Sequence, residues 1–297
     1  MKRTLVAFLA AGLISFAGLS QQFDKAKLDA YIDTLANNNR FMGSVAVSNG
    51  KELIYTKSVG FADIEQGLKA NENSKYRIGS ISKTFTAVLV LKAIEENKLD
   101  LSQTIDKYFP EILNADKITI THLLYHRSGI HNFPDEKTWL EWNTQPKTEQ
   151  EIVEMIIKGG SDFEPDAKTS YSNSNFMLLS YILEKIYRKP YSAILEEKII
   201  KPIGLKNTYY GKKIEVMNNE CNSYAYMGFT IDTVTNTTIP LTSDAGNWKI
   251  VPETDMSIFS GAGSIVSTPI DLTIFSEALF KFLCLQPQWQ MFNLGLI

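Results

Sequence analysis

Between residues 24 and 39 the apolar positions Leu28, Tyr31, Ile32 and Leu35 recur at three- and four-residue intervals, the spacing of one face of an amphipathic helix. The pattern then changes. Residues 43–48 and 52–60 are rich in β-formers and flank Asn49-Gly50, a dipeptide that accepts left-handed turn conformations, so a hairpin is predicted. Residues 80–97 read as a helix whose apolar stretch, 87–91, must be deeply buried. Beyond Leu101 the pattern is mostly helical. Thr148 and Glu151 form a capping box ahead of Ile152, Met155 and Ile156, and residues 175–187 make another helix, closed by Pro190. Strand patterns return at 224–230 and 233–241, then come a glycine-containing run at 260–264 and a helix opened by Thr268, Pro269 and Asp271. No internal repeat or low-complexity linker interrupts this order. Sheet, helical block, sheet predicts an α/β (α+β) fold: a domain over residues 21–281 with a mostly helical lobe, about 101–220, inserted and the site at the junction.

The two ends stand apart. Lys2 and Arg3 precede an almost wholly apolar stretch, 4–19, and Gly18 and Ser20 are small residues at the positions a signal peptidase reads. A signal peptide over 1–20 is expected; the alternative is an uncleaved anchor helix. At the other end, residues 282–297 contain no Asp, Glu, Lys, Arg or His. In a chain 21% charged, so long a stretch lacks Asp, Glu, Lys and Arg by chance only ~2% of the time. Either a buried last strand or an altered reading frame accounts for it.

Composition narrows the function classes. The 297 residues are 44% hydrophobic with a net charge of −3, and no long basic run suggests a nucleic-acid groove or a polybasic membrane patch. The expected protein is periplasmic or secreted, without a stable membrane span once the signal is removed. Only two cysteines, Cys221 and Cys284, are present, and nothing in the sequence supports pairing them.

Two motifs carry candidate chemistry. In Ser80-Ile81-Ser82-Lys83 the hydroxyl and the amine fall at i and i+3, on one helix face, where a buried amine of lowered pKa can take the serine proton. The pattern alone is common: Ser48-Asn49-Gly50-Lys51 repeats it in the hairpin turn, and a surface lysine with its stem laid along the protein is the plain alternative. Context separates Ser80, because its motif opens an apolar helix. Tyr171-Ser172-Asn173 follows a turn at 163–166 and precedes a helix. There the phenol can face a lysine ammonium and serve as a base, and Asn173 can hold a substrate amide and orient Lys83.

Taken together, these residues resemble the serine β-lactamase and penicillin-binding protein superfamily, in its branch of class C β-lactamases, D-alanyl-D-alanine carboxypeptidases and esterases. The resemblance runs from about Phe41 to Leu279. It includes Gly43-Ser44-Val45-Ala46-Val47, Tyr76-Arg77-Ile78-Gly79 before Ser80, the stretch from Ile118 to Gly129 with its His126-Arg127-Ser128-Gly129, and Pro202-Ile203-Gly204-Leu205. Gly261-Ala262-Gly263-Ser264 with Asp271 completes it. It implies a β-lactamase-like antiparallel sheet flanked by helices. It also implies Ser80 as acylated nucleophile, Lys83 as its activating partner, Tyr171 as base for deacylation and Asn173 as ligand of substrate and Lys83. The Ser80 amide would be half of an oxyanion hole. The implied activity is an acyl-enzyme hydrolysis of a small-molecule or short-peptide substrate (a cell-wall D-alanyl peptide, a β-lactam or an ester), without cofactor or metal.

Arg127 and Asp166 depart from the pattern, standing where the family more often has Thr and Gly. A larger departure is that neither Lys-Thr-Gly nor His-x-Gly follows the Gly261–Ser264 run, so missing C-terminal strands and impaired activity, or a non-catalytic ligand-binding relative, are also expected outcomes. His122, His126 and His131 could suggest a metal site, but Gly129 breaks the helix that would align them, and they read as local structural residues.

Overall fold

The computed structural model describes residues 23–133, 139–227, 229–232, 237–240 and 247–280. Asp24 accepts from the Lys27 amide at 2.9 Å and so caps α1 (Lys25–Asn37). The predicted hairpin follows: β1 (Gly43–Asn49) pairs antiparallel with β2 (Glu52–Val59), Gly50 sits in the turn at φ +58°, and a register shift falls between Val47 and Ser48. Lys57 on β2 ties α1 down through Asp29 at 3.0 Å and Asp33 at 2.8 Å, and the Tyr55 hydroxyl donates to Asp29. Short strands β3 (Phe61–Asp63) and β4 (Leu68–Lys69) pair with each other.

Strand β5 (Tyr76–Arg77) then leads into a single 3-10 turn, Gly79–Ile81, and α2 (Ser82–Glu95). The sequence placed Ser80 inside the helix; it lies instead on the tighter turn before it, one residue after Gly79 at φ +53°. Helix α2 is apolar nearly all round, so no single face can meet solvent. Phe85, Val88, Leu89 and Val90 are all fully buried, and the helix packs against later helices on several sides.

The helical block supplies α3 (Ile120–Leu124), α4 (Trp139–Trp142), α5 (Glu149–Gly159), α6 (Asn173–Tyr187), α7 (Tyr191–Leu195), a π-type turn Glu196–Ile200 and α8 (Lys201–Ile203). The expected capping box at Thr148 and Glu151 is formed, and Arg188 ends α6 in the left-handed region two residues before Pro190. Strand β6 (Tyr209–Tyr210) follows, then β7 (Tyr224–Met227), β8 (Phe229–Asp232), β9 (Thr237–Pro240) and β10 (Asn247–Ile250). Strand β8 pairs with β9 and β7 with β10; the rest of the predicted strand 233–241 lies outside the described residues. Last come β11 (Ile265–Ser267) and α9 (Pro269–Phe280), where the Thr268 hydroxyl accepts from the Asp271 amide as the helix opens.

One pairing fixes the plan. Strand β11 lies between β5 and β6, antiparallel to both, so the chain leaves a sheet at β5, makes the whole helical block and returns to the same sheet at β6. The described strands form small antiparallel sheets with helices packed against them, an α/β fold of the expected kind. Phe85 of α2 stacks on Phe275 of α9 at 3.8 Å, which closes the core between the two. No helix among the described residues is long and apolar enough to cross a membrane. The predicted signal segment, 1–20, and the charge-free tail, 282–297, lie outside the described residues.

Candidate active site

Four residues from two stretches of the chain, 80–83 and 171–173, meet at the N-terminal end of α2. The Ser80 hydroxyl is 2.6 Å from the Tyr171 hydroxyl and 3.1 Å from the Lys83 amine. Lys83 also donates to Asn173 Oδ1 at 2.8 Å and to the Ala262 carbonyl at 2.7 Å. Tyr171 lies 3.2 Å from the same Asn173 oxygen. All four residues singled out in the sequence are therefore brought together. Ser48 and Lys51, the second match to the serine-lysine pattern, stay in the hairpin turn.

Exposure differs sharply across the group. Ser80 is exposed and Tyr171 is half exposed, while Lys83 is only 3% exposed. Burial pushes the Lys83 amine down to about 7, since desolvation disfavours the ammonium. Its partners fix its orientation. Asn173 Oδ1 and the Ala262 carbonyl can only accept, so the amine must donate to both, and its remaining direction faces Ser80. In the neutral amine that direction holds the lone pair.

Each partner is itself held. The Ile78 amide donates to the Ile265 carbonyl at 3.0 Å and the Ile265 amide to the Ser82 hydroxyl at 3.2 Å, which lashes the turn bearing Ser80 to β11. The Asn173 amide and side-chain nitrogen both donate to Asn132 Oδ1, at 2.8 and 3.1 Å. His126 Nδ1 accepts from the Ser172 amide at 3.2 Å, and its ring packs on Tyr171 with 4.8 Å between centroids. Burial, with the nearby Lys83 charge, pushes His126 down to about 4, so the ring is neutral at ordinary pH and free to accept.

Segment 161–172 is fastened to segment 126–131 by backbone bonds: Asp162 N to Gly129 O, Asp166 N to Arg127 O and Ser170 N to His126 O. The two departures from the family pattern belong to this seam and bind each other. Arg127 Nε donates to Asp166 Oδ1 at 2.5 Å and holds that carboxyl below the usual range, and Asp166 has a φ of +70°, a conformation that favours glycine. The other two histidines have separate local duties: His122 completes the capping box of α3 with Thr119, and His131 meets Asp162 at 2.9 Å. Among the described residues no cluster of His, Cys, Asp or Glu is arranged to hold a metal ion. The roles of Asn132, His126 and the Ala262 carbonyl were not read from the sequence. Only the His126-Arg127-Ser128-Gly129 run and the glycines flanking Ala262 hinted at them.

The beta-lactamase family model matches residues 28–291, and the chain belongs to that family. It is 28% identical over 268 residues to penicillin-binding protein 4* of Bacillus subtilis, covering 88% of this chain and 57% of that protein. It is 27% identical over 225 residues to the teichoic acid D-alanine hydrolase of Staphylococcus aureus, covering 76% of this chain and 55% of that one. The chain thus spans little more than half the length of these relatives. Among solved structures, D-amino acid amidase from Ochrobactrum anthropi in complex with L-phenylalanine amide superposes with a TM-score of 0.71 at 27% identity, over 88% of this chain and 73% of that one. FmtA from Staphylococcus aureus shares the fold at a TM-score of 0.72 and 23% identity, over 89% and 67% of the two chains.

Proposed function

We propose that this chain is a serine hydrolase that works through an acyl-enzyme on a β-lactam, D-alanyl peptide or ester. The observation that carries the reading is the buried Lys83 amine, aimed at an exposed Ser80 hydroxyl by two oxygens that can only accept. Ser80 Oγ forms a bond to the substrate carbonyl carbon while its proton passes to the neutral Lys83 amine. Negative charge gathers on the carbonyl oxygen, and the Ser80 backbone amide is one donor to it. The carbon–leaving-group bond then breaks, and the amine or alcohol departs with the proton returned from Lys83.

In deacylation a water attacks the acyl carbon. Tyr171, 2.6 Å from Ser80 Oγ, receives the water's proton while its own passes to Ser80 as the ester bond breaks. Asn173 keeps Lys83 and Tyr171 in register and offers its amide to the substrate. The names of the relatives, a D-alanine hydrolase and a D-amino acid amidase, support a D-configured amide or ester as substrate. The N-terminal pattern supports export to the periplasm or the exterior. Like its family, the reading requires no metal or cofactor.

A fluorophosphonate probe or a fluorescent penicillin tests the proposal. Labelling of the folded protein that disappears in Ser80→Ala is expected. Folded protein that takes up neither probe, or labelling that persists in Ser80→Ala, overturns it.

A further inference from the structure

Behind the site lies a fully buried pair of hydroxyls. Thr86, one helical turn beyond Lys83 on α2, has no exposed surface, and Tyr191 at the start of α7 is 1% exposed. Their oxygens are 2.7 Å apart, and Thr86 Oγ1 lies 2.6 Å from the Gly261 carbonyl. The carbonyl can only accept, so the single Thr86 proton goes to it, and the Tyr191 hydroxyl in turn donates to Thr86. The result is a one-way chain from Tyr191 through Thr86 to Gly261, next in sequence to the residue whose carbonyl holds Lys83.

The turn it meets has little freedom. Gly261 has a φ of +70°, and a Cβ there would stand 2.6 Å from both the Phe176 carbonyl oxygen and Ser180 Cβ. The Ala262 and Gly263 amides are both bound to the Phe259 carbonyl at 2.8 Å. The Gly261 and Ala262 carbonyls are both taken by α2, one by Thr86 and the other by Lys83.

We propose that Thr86, backed by Tyr191, is a positioning residue for acylation: it sets the Gly261–Ala262 carbonyl pair so that the Ala262 oxygen fills one hydrogen-bonding direction of Lys83. The proposal rests on the reading of Lys83 as the partner that activates Ser80. With the Ala262 carbonyl in place, the amine has one direction left, toward Ser80. With the turn loosened, the amine loses an acceptor that stabilises its charged form, and its lone pair is no longer directed.

The titratable groups around this chain are few. Lys83 faces the Tyr171 ring at 4.8 Å and the neutral His126, and among the described residues no carboxylate lies within salt-bridge distance of it. Tyr191 feels Tyr210 and Glu184.

The experiment is an NMR titration of the full chain labelled at lysine Cε, with Lys83 assigned through Lys83→Met, alongside the pH profile of Ser80 labelling by the fluorophosphonate. In Thr86→Val the Lys83 titration is expected to move down by about half a unit or more, and labelling to slow about tenfold or more. Thr86→Ser, which restores the hydroxyl, is expected to keep both at the wild-type value. A folded Thr86→Val whose Lys83 titration and labelling match wild type overturns the inference. If Thr86→Val does not fold, Tyr191→Phe carries the test, with a smaller change in the same direction expected and no change overturning it. Should the wild-type protein fail to label at Ser80, the catalytic reading falls, while the Lys83 titration still decides whether Thr86 positions Ala262.

Discussion

A lysine that is 3% exposed and has no carboxylate partner among the described residues is unfavourable as an ammonium. The unfolded chain keeps the lysine protonated to about pH 10.4, whereas in the folded protein burial lowers the amine to about 7. Between those values the unfolded state binds more protons, so stability rises with pH; the contribution is lost as pH falls through about 7. In the proposed mechanism acylation needs the neutral amine and follows the same direction. Ser80 labelling by an uncharged probe is therefore expected to rise with pH along a limb centred near 7, and a rate independent of pH from 5 to 9 (roughly two units to either side) contradicts this. Asn173→Asp sharpens the point. The carboxylate would sit where Oδ1 now lies 2.8 Å from the amine and would favour the ammonium. The limb is expected to move up by about 1–3 units, with slower labelling at neutral pH, as the rate profile will show. Ser80, Lys83, Tyr171 and Asn173 were legible in the sequence because their chemistry is in their side chains. The Ala262 carbonyl was not: any residue supplies a carbonyl, and only the fold decides which one reaches Lys83.

At the scale of elements, sequence told most where a local signal has a fixed geometry. Asn49-Gly50 marked the β1–β2 turn, Thr148 with Glu151 marked the start of α5, and Thr268-Pro269 marked the start of α9. Strands β5, β6 and β11 escaped notice, since two or three residues are too few to show an alternating period, and they are specified only by pairing with one another. The turn Gly79–Ile81 escaped for a related reason: its residues suit an α-helix equally well, and the lashing to β11 tightens it. The turn after the Met256–Phe259 helical segment matters most to the site. Gly261→Ala places a methyl against the Phe176 carbonyl and Ser180 in a backbone conformation that disfavours a side chain. A loss of about 1–3 kcal/mol is expected in urea unfolding, together with slower Ser80 labelling by the fraction that remains folded. Loss of stability with normal labelling would separate the turn from the site.

At the scale of the molecule, the site depends on one helix. The apolar run in α2 announced burial in the sequence, and the structure surrounds that helix with α6 and α7 on its flanks and Phe275 of α9 stacked on Phe85. What the sequence could not show is that the helical block starts and ends on neighbours of a single strand, because strand order is a property of the closed sheet. Ser80 precedes α2 and Lys83 lies in its first turn, while Tyr171 and Asn173 enter from the start of α6. Packing between α2 and α6 therefore sets the distance between Ser80 and Tyr171. Leu89 lies fully buried on α2, six residues beyond Lys83. Leu89→Ala leaves a cavity and should lower stability by about 2–5 kcal/mol. Because such a loss raises unfolding without altering the Lys83 environment, the pH limb of labelling should stay near 7 while the unfolding midpoint falls. A Leu89→Ala protein that remains folded but shows a displaced pH limb would mean that the core transmits its packing to the amine. An unchanged limb with reduced stability would show that the lashings at the mouth of α2 hold the site on their own.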